Sequence, residues 1–371
     1  MTVGASVLVG RREELAVLEG ALGEVERSNA RAFGLRGEPG IGKSRLLAEL
    51  GGRAREGGLL VLGGRAAELE RDLPFALLVD AFEPLVIGEL PRAVRELEGE
   101  QLGELVAVLP GVGSLAEVEA APASGERHRV ARAVRALLER LAAERPLALL
   151  LDDVHWADPA SADVLALLLH RPPRGGVLLG LAMRSRRAPA LEGALAAARQ
   201  NGSAELVELG PLPLEVASEL MPGVGRAARE RLHRESGGNP FYLQELARAG
   251  HADADGADRA GMPGVPRAVQ AAMVGELVAL PATARRVLEG AAVAGDPFEP
   301  ELAAVAAEVE EEVALASLDE LLKADLVRPT SQPRRFRFRH PLVRRAVYEE
   351  TGGGWRLGAH ARAADRLTAR G

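Results

Sequence analysis

The chain has no cysteine, which excludes disulfides and cysteine-ligated metal sites and fits a reducing compartment. It also has almost no lysine: of 46 Lys+Arg, only Lys43 and Lys323 are lysine, and every other cation is arginine. It has no excess of positive charge, and a net charge of −7 argues against a chain that binds polyanions over its whole surface. No apolar run approaches the roughly 18 residues that a membrane span needs. The start, "MTVGASVLVGRREEL", lacks the basic segment and long apolar stretch of a signal peptide. These absences predict a cytoplasmic protein with no membrane partner. What is present, 47% hydrophobic and 27% charged residues over 371 positions, suits a globular chain of two or three domains.

Leu15, Leu18, Leu22 and Val25 recur at helical spacing in residues 11–27. "RAFGLRG" (31–37) reads as a short apolar strand that runs into glycines, followed by a helix over 44–56. Further strands are predicted at 58–64, 147–153, 176–185 and 204–212, with helices over 129–144 and 159–171, the latter with Pro159 in its first turn. Continuously apolar strands alternating with helices predict an α/β fold with a parallel five-stranded core sheet covered on both faces. After residue 212 the pattern turns helical. Residues 249–264, "AGHADADGADRAGMPG", hold no large core-forming side chain except Met262 and read as a mobile linker. "RRFRFRH" (334–340) alternates Arg and Phe, which puts both Phe side chains on one face of a strand.

The local reason for a lysine at position 43 is the stretch "GEPGIGKSRLL" (37–47). Gly37, Gly42, Lys43 and Ser44 stand at P-loop spacing, with a strand before and a helix after. The glycines let backbone N–H groups curl around phosphate oxygens, and the helix that follows points its positive end at the same anion. Lysine is a compact point charge that reaches the β- and γ-phosphates, where a planar guanidinium does not fit. Gly37, Pro39, Gly40, Ile41, Gly42, Lys43, Ser44 and Arg45 are therefore the candidate contacts to ATP or ADP. A P-loop calls for Mg²⁺ and a carboxylate at the end of a neighbouring strand. "LALLLDD" supplies Asp152, expected to hold Mg²⁺ with Ser44, and Asp153, expected to orient the attacking water. Asp153 is one carbon shorter than the glutamate often used there, which predicts slow hydrolysis at most.

"DDVHWADPAS", following that P-loop, resembles the STAND branch of AAA-like ATPases, and more narrowly the N-terminal ATPase half of large LuxR-type regulators. The resemblance runs from "LVGRREEL" (8–15) to about residue 350, and "GGNPFYLQEL" and "FRFRHPLVRRAVY" are its more specific parts. It implies that Val9, Gly10 and Arg11 contact the base and ribose and that Arg184 senses the γ-phosphate. It further implies that Pro240 packs on the adenine and that His340 reaches the β-phosphate of ADP. The implied architecture is a P-loop domain (1–212), a helical domain (213–249), a linker (250–264), a winged-helix domain (265–353) and a C-terminal helix (354–371). Such regulators usually continue into repeats that sense an inducer and a DNA-binding helix-turn-helix, so the last helix is expected to begin a repeat region absent from this chain.

The implied function is a switch: ADP holds a closed resting state, and ATP permits activation or self-assembly in transcription regulation under an unknown inducer or protein partner. Two other classes are weighed against it. Six arginines in "RRFRFRHPLVRR" resemble the basic wing of an origin-binding ATPase, but the two Phe residues turn half of that strand to a core and the net charge is negative, so direct DNA binding is not expected. The short Asp153 and the lack of an evident arginine finger argue against a fast motor ATPase.

Overall fold

A computed structural model describes residues 8–86, 99–109, 127–184, 188–254 and 265–369. The chain divides into two compact units, Met1–Gly210 and Pro211–Gly371.

The first unit is a five-stranded parallel sheet in the order β2-β3-β4-β1-β5, with β1 Arg31–Gly37, β2 Leu60–Arg65, β3 Leu147–Asp152, β4 Val177–Met183 and β5 Ala204–Leu209. Each strand begins within two residues of its predicted position, and β3, β4 and β5 end one to three residues early. Helices α1 (Arg12–Glu26) and α2 (Lys43–Glu56) share a core with Phe33 and Leu35 of β1, Ala148 and Leu150 of β3, and Leu178 and Ala182 of β4. The alternate residues Leu147, Leu149 and Leu151, and Leu179, Leu181 and Met183, belong to a second core. It is built with α3 (Ala76–Val86), α4 (Gly99–Val108), α5 (Arg127–Glu144), α6 (Pro159–His170) and α7 (Pro189–Gln200). Side chains alternate between the two faces of a strand, so these two cores cover opposite faces of the sheet. Helix α7 was not anticipated, although its Leu191, Leu195 and Ala198 are buried at helical spacing. The parallel order brings the C-terminal ends of β1, β3 and β4 to one edge, where ligands of open α/β sheets bind.

The second unit starts with short helices, α8 (Leu214–Ala217) and α9 (Arg226–Ser236), then α10 (Pro240–Ala254) and α11 (Arg267–Val278). Helix α10 covers positions 250–254 of the predicted linker, and 255–264 lie outside the described residues. A three-helix group follows, α12 (Ala282–Ala294), α13 (Pro300–Ala307) and α14 (Glu311–Lys323), with an antiparallel hairpin, β6 (Val327–Pro329) and β7 (Phe336–Phe338). Phe298 adds a bridge to Phe336, completing the element order of a winged helix. Phe336 and Phe338 both pack on Phe298, so the predicted shared face is observed. Helices α15 (Pro341–Glu350) and α16 (Gly353–Thr368) close the unit. One apolar core joins Tyr242, Leu243 and Leu246 of the helical segment to Leu326, Phe338, Leu342 and Val343 within the second unit. No helix among the described residues is long and apolar enough to cross a membrane.

Candidate nucleotide-binding site

The loop between β1 and α2 turns through Gly40 (φ 74°) and Gly42 (φ 105°), left-handed conformations that a side chain would strain. Lys43 is the first residue of α2 and is buried, and its Nζ donates to the carbonyls of Gly37 (3.0 Å) and Glu38 (2.9 Å). Burial lowers its pKa to about 8, the nearby Arg184 lowers it further, and Asp153, Asp152 and Glu38 oppose the shift. Three predicted site residues, Asp152, Asp153 and Arg184, thus lie within electrostatic reach of a fourth, Lys43. Arg184 is the first residue beyond β4, one position past the strand end. Ser44 is exposed beside Lys43 and lines a cavity of about 360 Å³ with Arg65 and Asp80.

Asp152 ends β3, and its Oδ1 accepts from the N–H of Asp153 (2.9 Å). Asp153 is left-handed (φ 50°), a region where aspartate is tolerated better than most residues. Its Oδ2 accepts two hydrogen bonds from Arg65, from Nε (3.0 Å) and Nη2 (2.8 Å). Arg65 ends β2, and its own N–H donates to Asp80 (2.7 Å). Sequence reasoning missed Arg65: it stands 88 residues from Asp153, and no local pattern marks an arginine at the end of an edge strand. The remaining acid of "DDVHWAD", Asp158, is structural. It caps α6 by accepting from Ser161 N–H (2.8 Å) and also accepts from Phe75 N–H (2.8 Å). Between them lies buried His155, with Nδ1 3.9 Å from Asp153 Oδ1 and its ring against Trp156.

Val9 and Gly10 lead into α1, and Arg11 is buried. Its guanidinium donates to Glu14 (2.8 Å), to the carbonyl of Ile41 in the P-loop (3.1 Å) and to that of Gly210 after β5 (2.6 Å). These bonds tie the P-loop to the chain leaving the sheet at the residue that the resemblance makes a base or ribose contact.

Pro240 and His340 belong to the second unit. Pro240 opens α10, and Asn239 before it is buried and accepts from Phe241 N–H (3.1 Å). His340 stands at the N-cap position just before α15, is buried, and meets the Tyr242 ring edge-on at 5.5 Å. Five of the six arginines between 334 and 345 are engaged within the unit, and Arg337 on β7 is exposed. Arg334 pairs with Glu301 and Glu311, Arg335 with Glu299, Arg339 with Glu276 and Arg345 with Glu349, while Arg344 donates to the Ala292 carbonyl. Helix α14 carries Glu311, Glu312, Asp319 and Glu320.

Residues 7–180 match the sequence profile of the AAA ATPase domain. Comparison with curated proteins finds no match. Among solved structures, the ORC2 protein of Aeropyrum pernix, in ADPNP–ADP complexes, is similar with a TM-score of 0.53 and 15% identity over 99% of this chain and 98% of that one. Cdc6p of Pyrobaculum aerophilum is similar at 0.46 and 12%, over 99% and 97%. AMPPCP-bound DnaA of Aquifex aeolicus is similar at 0.40 and 14%, over 86% and 90%. At these identities the likeness to ORC2 is one of fold. The profile match spans the strands, the P-loop and the Asp152–Asp153 pair of the first unit up to β4.

Proposed function

We propose that this chain is a nucleotide-dependent switch that binds ADP in a resting state and ATP in an activated, assembly-competent one, and that hydrolyses ATP slowly. The observation that carries the reading is the convergence of Lys43, Asp152, Asp153 and Arg184 beside the P-loop, with Asp153 held by Arg65. Backbone N–H groups of Gly40 to Ser44 and the N-terminus of α2 favour a polyphosphate. Lys43 exchanges its loop carbonyls for phosphate oxygens and balances their charge. The Ser44 hydroxyl and Asp152 carboxylate are hard oxygen donors that suit Mg²⁺, which would neutralise charge between the phosphates. Arg184 responds to the γ-phosphate. Asp153 orients water only when free of Arg65, so the ion pair favours slow turnover.

The resemblance to STAND-type regulators supports Pro240 and His340 as residues of the second unit that respond to the nucleotide state. The resemblance to STAND-type LuxR regulators supports a role in transcription regulation, exerted through an inducer or protein partner. The pairing of Arg334 and Arg335 with acids of the same unit and the acids of α14 favour that indirect role over DNA binding by this chain.

Denaturing freshly purified protein and identifying the released nucleotide, with calorimetric titration of wild-type and Lys43→Ala protein, tests the reading. ADP release and loss of binding in the folded variant are expected. Unchanged ATP affinity in Lys43→Ala would overturn it.

A further inference from the structure

Within the first unit, the cavity of about 360 Å³ that begins at Ser44 lies between α2 and the edge strand β2. Ser44, Leu47, Gly51 and Arg55 line it from one stripe of α2, at helical spacing. From Ser44 to Arg55 that stripe runs roughly 16 Å down the helix, away from the P-loop. Val61, Gly63 and Arg65 line the cavity from one face of β2, and Leu150 of β3 lines it between them.

The space is open because two residues of its wall lack side chains. A Cβ on Gly51 would meet Leu150 at 3.2 Å and Val61 at 3.6 Å, so this glycine lets α2 settle close to the sheet. A Cβ on Gly63 would meet nothing nearer than the Leu150 carbonyl, at 3.7 Å, so the room in front of Gly63 is unfilled.

The charges around the cavity are unequally matched. Arg65 commits Nε and Nη2 to Asp153, and Asp80 accepts the Arg65 N–H. Arg55 has no acid partner among the described residues. Its Nη1 stands 3.8 Å from the place of a Gly51 Cβ, so the guanidinium turns back along α2 over the cavity. Clefts of about 300–1,000 Å³ with apolar walls and a few placed polar groups are the usual form of a small-molecule site.

We propose that this cavity binds a small organic acid, with its apolar body against Leu47, Val61 and Leu150 and its carboxylate on Arg55. A guanidinium offers a carboxylate two parallel N–H donors, which selects the acid over a neutral molecule of the same shape. The site goes beyond the nucleotide reading: it follows the flank of α2, whereas the proposed phosphate contacts lie at the helix N-terminus, and the two share only Ser44.

The test titrates straight-chain alkanoates from butanoate to octanoate, and phenylbutyrate, into the full chain by calorimetry, with phenylbutanol as the neutral control. Each titration is run with and without saturating ADP, because the P-loop also attracts anions. It is repeated on Arg55→Gln, which removes the charge, and on Gly63→Leu, which fills the cavity, with a melting curve for each. Saturable binding of at least one acid in the presence of ADP is expected, with the alcohol weaker. Acid affinity should fall by roughly tenfold or more in both variants, and alcohol affinity in Gly63→Leu alone. No saturable binding of any acid, binding lost when ADP is present, or equal affinity for acid and alcohol would overturn the proposal. Wild-type acid affinity in the folded variants would overturn it as well, leaving Arg55 as a favourable charge in the last turn of α2.

Discussion

Arg65 places two donors, Nε and Nη2, on a single oxygen of Asp153, at 3.0 and 2.8 Å. The acid that would orient water in ATP hydrolysis is thereby engaged by a residue from the edge strand. Most of the Arg65 side chain is exposed (71%), so solvent screens the pair and its hold is modest. Arg65→Ala should therefore raise steady-state ATP turnover by about two- to fivefold, with ADP affinity nearly unchanged. A fall in turnover, measured by phosphate release, would show that Arg65 assists the reaction rather than restraining it.

Lys43 predicts how nucleotide binding depends on pH. Burial lowers its pKa to about 8 in the nucleotide-free protein. Phosphates raise it again, because they favour the charged form. Below pH 8 the lysine is already charged and adds no pH dependence. Above pH 8 binding takes up a proton, and ADP affinity should fall by about tenfold per pH unit until the bound-state value is reached. Titrations at pH 9 in buffers of different ionisation enthalpy should reveal proton uptake that vanishes at pH 7.

Asp158 should matter for stability and little for binding. Asp158→Ala removes the cap of α6 and leaves Phe75 N–H without its acceptor. The loss should be about 1–3 kcal/mol in urea unfolding, with nucleotide affinity within about twofold of the wild type. A large loss of affinity at unchanged stability would move Asp158 into the binding site.

The strands, the P-loop and the Asp152–Asp153 pair were legible because each is written locally. Apolar runs mark buried strands, and glycine spacing marks a loop that must wrap an anion. Arg65 was not legible, because its partner lies 88 residues away and only the order β2-β3 makes them neighbours. The single core shared by α10 and the winged-helix elements was hidden for the same reason: Tyr242 and Phe338 look like separate motifs until the chain folds back. Arg11 was assigned to the nucleotide by resemblance, and its bonds to Ile41 and Gly210 appear only once β5 is placed beside β1.

His340→Ala separates a sensor from a packing histidine. A hydrogen bond to a charged group is worth about 1.5–3 kcal/mol. Its loss should weaken ADP by roughly ten- to a hundredfold and ATP less, with the fold retained. A lower melting temperature with an unchanged ADP/ATP preference would assign His340 to the core alone.

The switch itself is tested most directly by light scattering coupled to size-exclusion chromatography, on wild-type protein saturated with ADP or with a non-hydrolysable ATP analogue, and with Lys43→Ala as control. The account predicts the mass of one chain with ADP, larger assemblies with the analogue, and no response in the variant. The same mass with both nucleotides, or assembly without nucleotide, would contradict it.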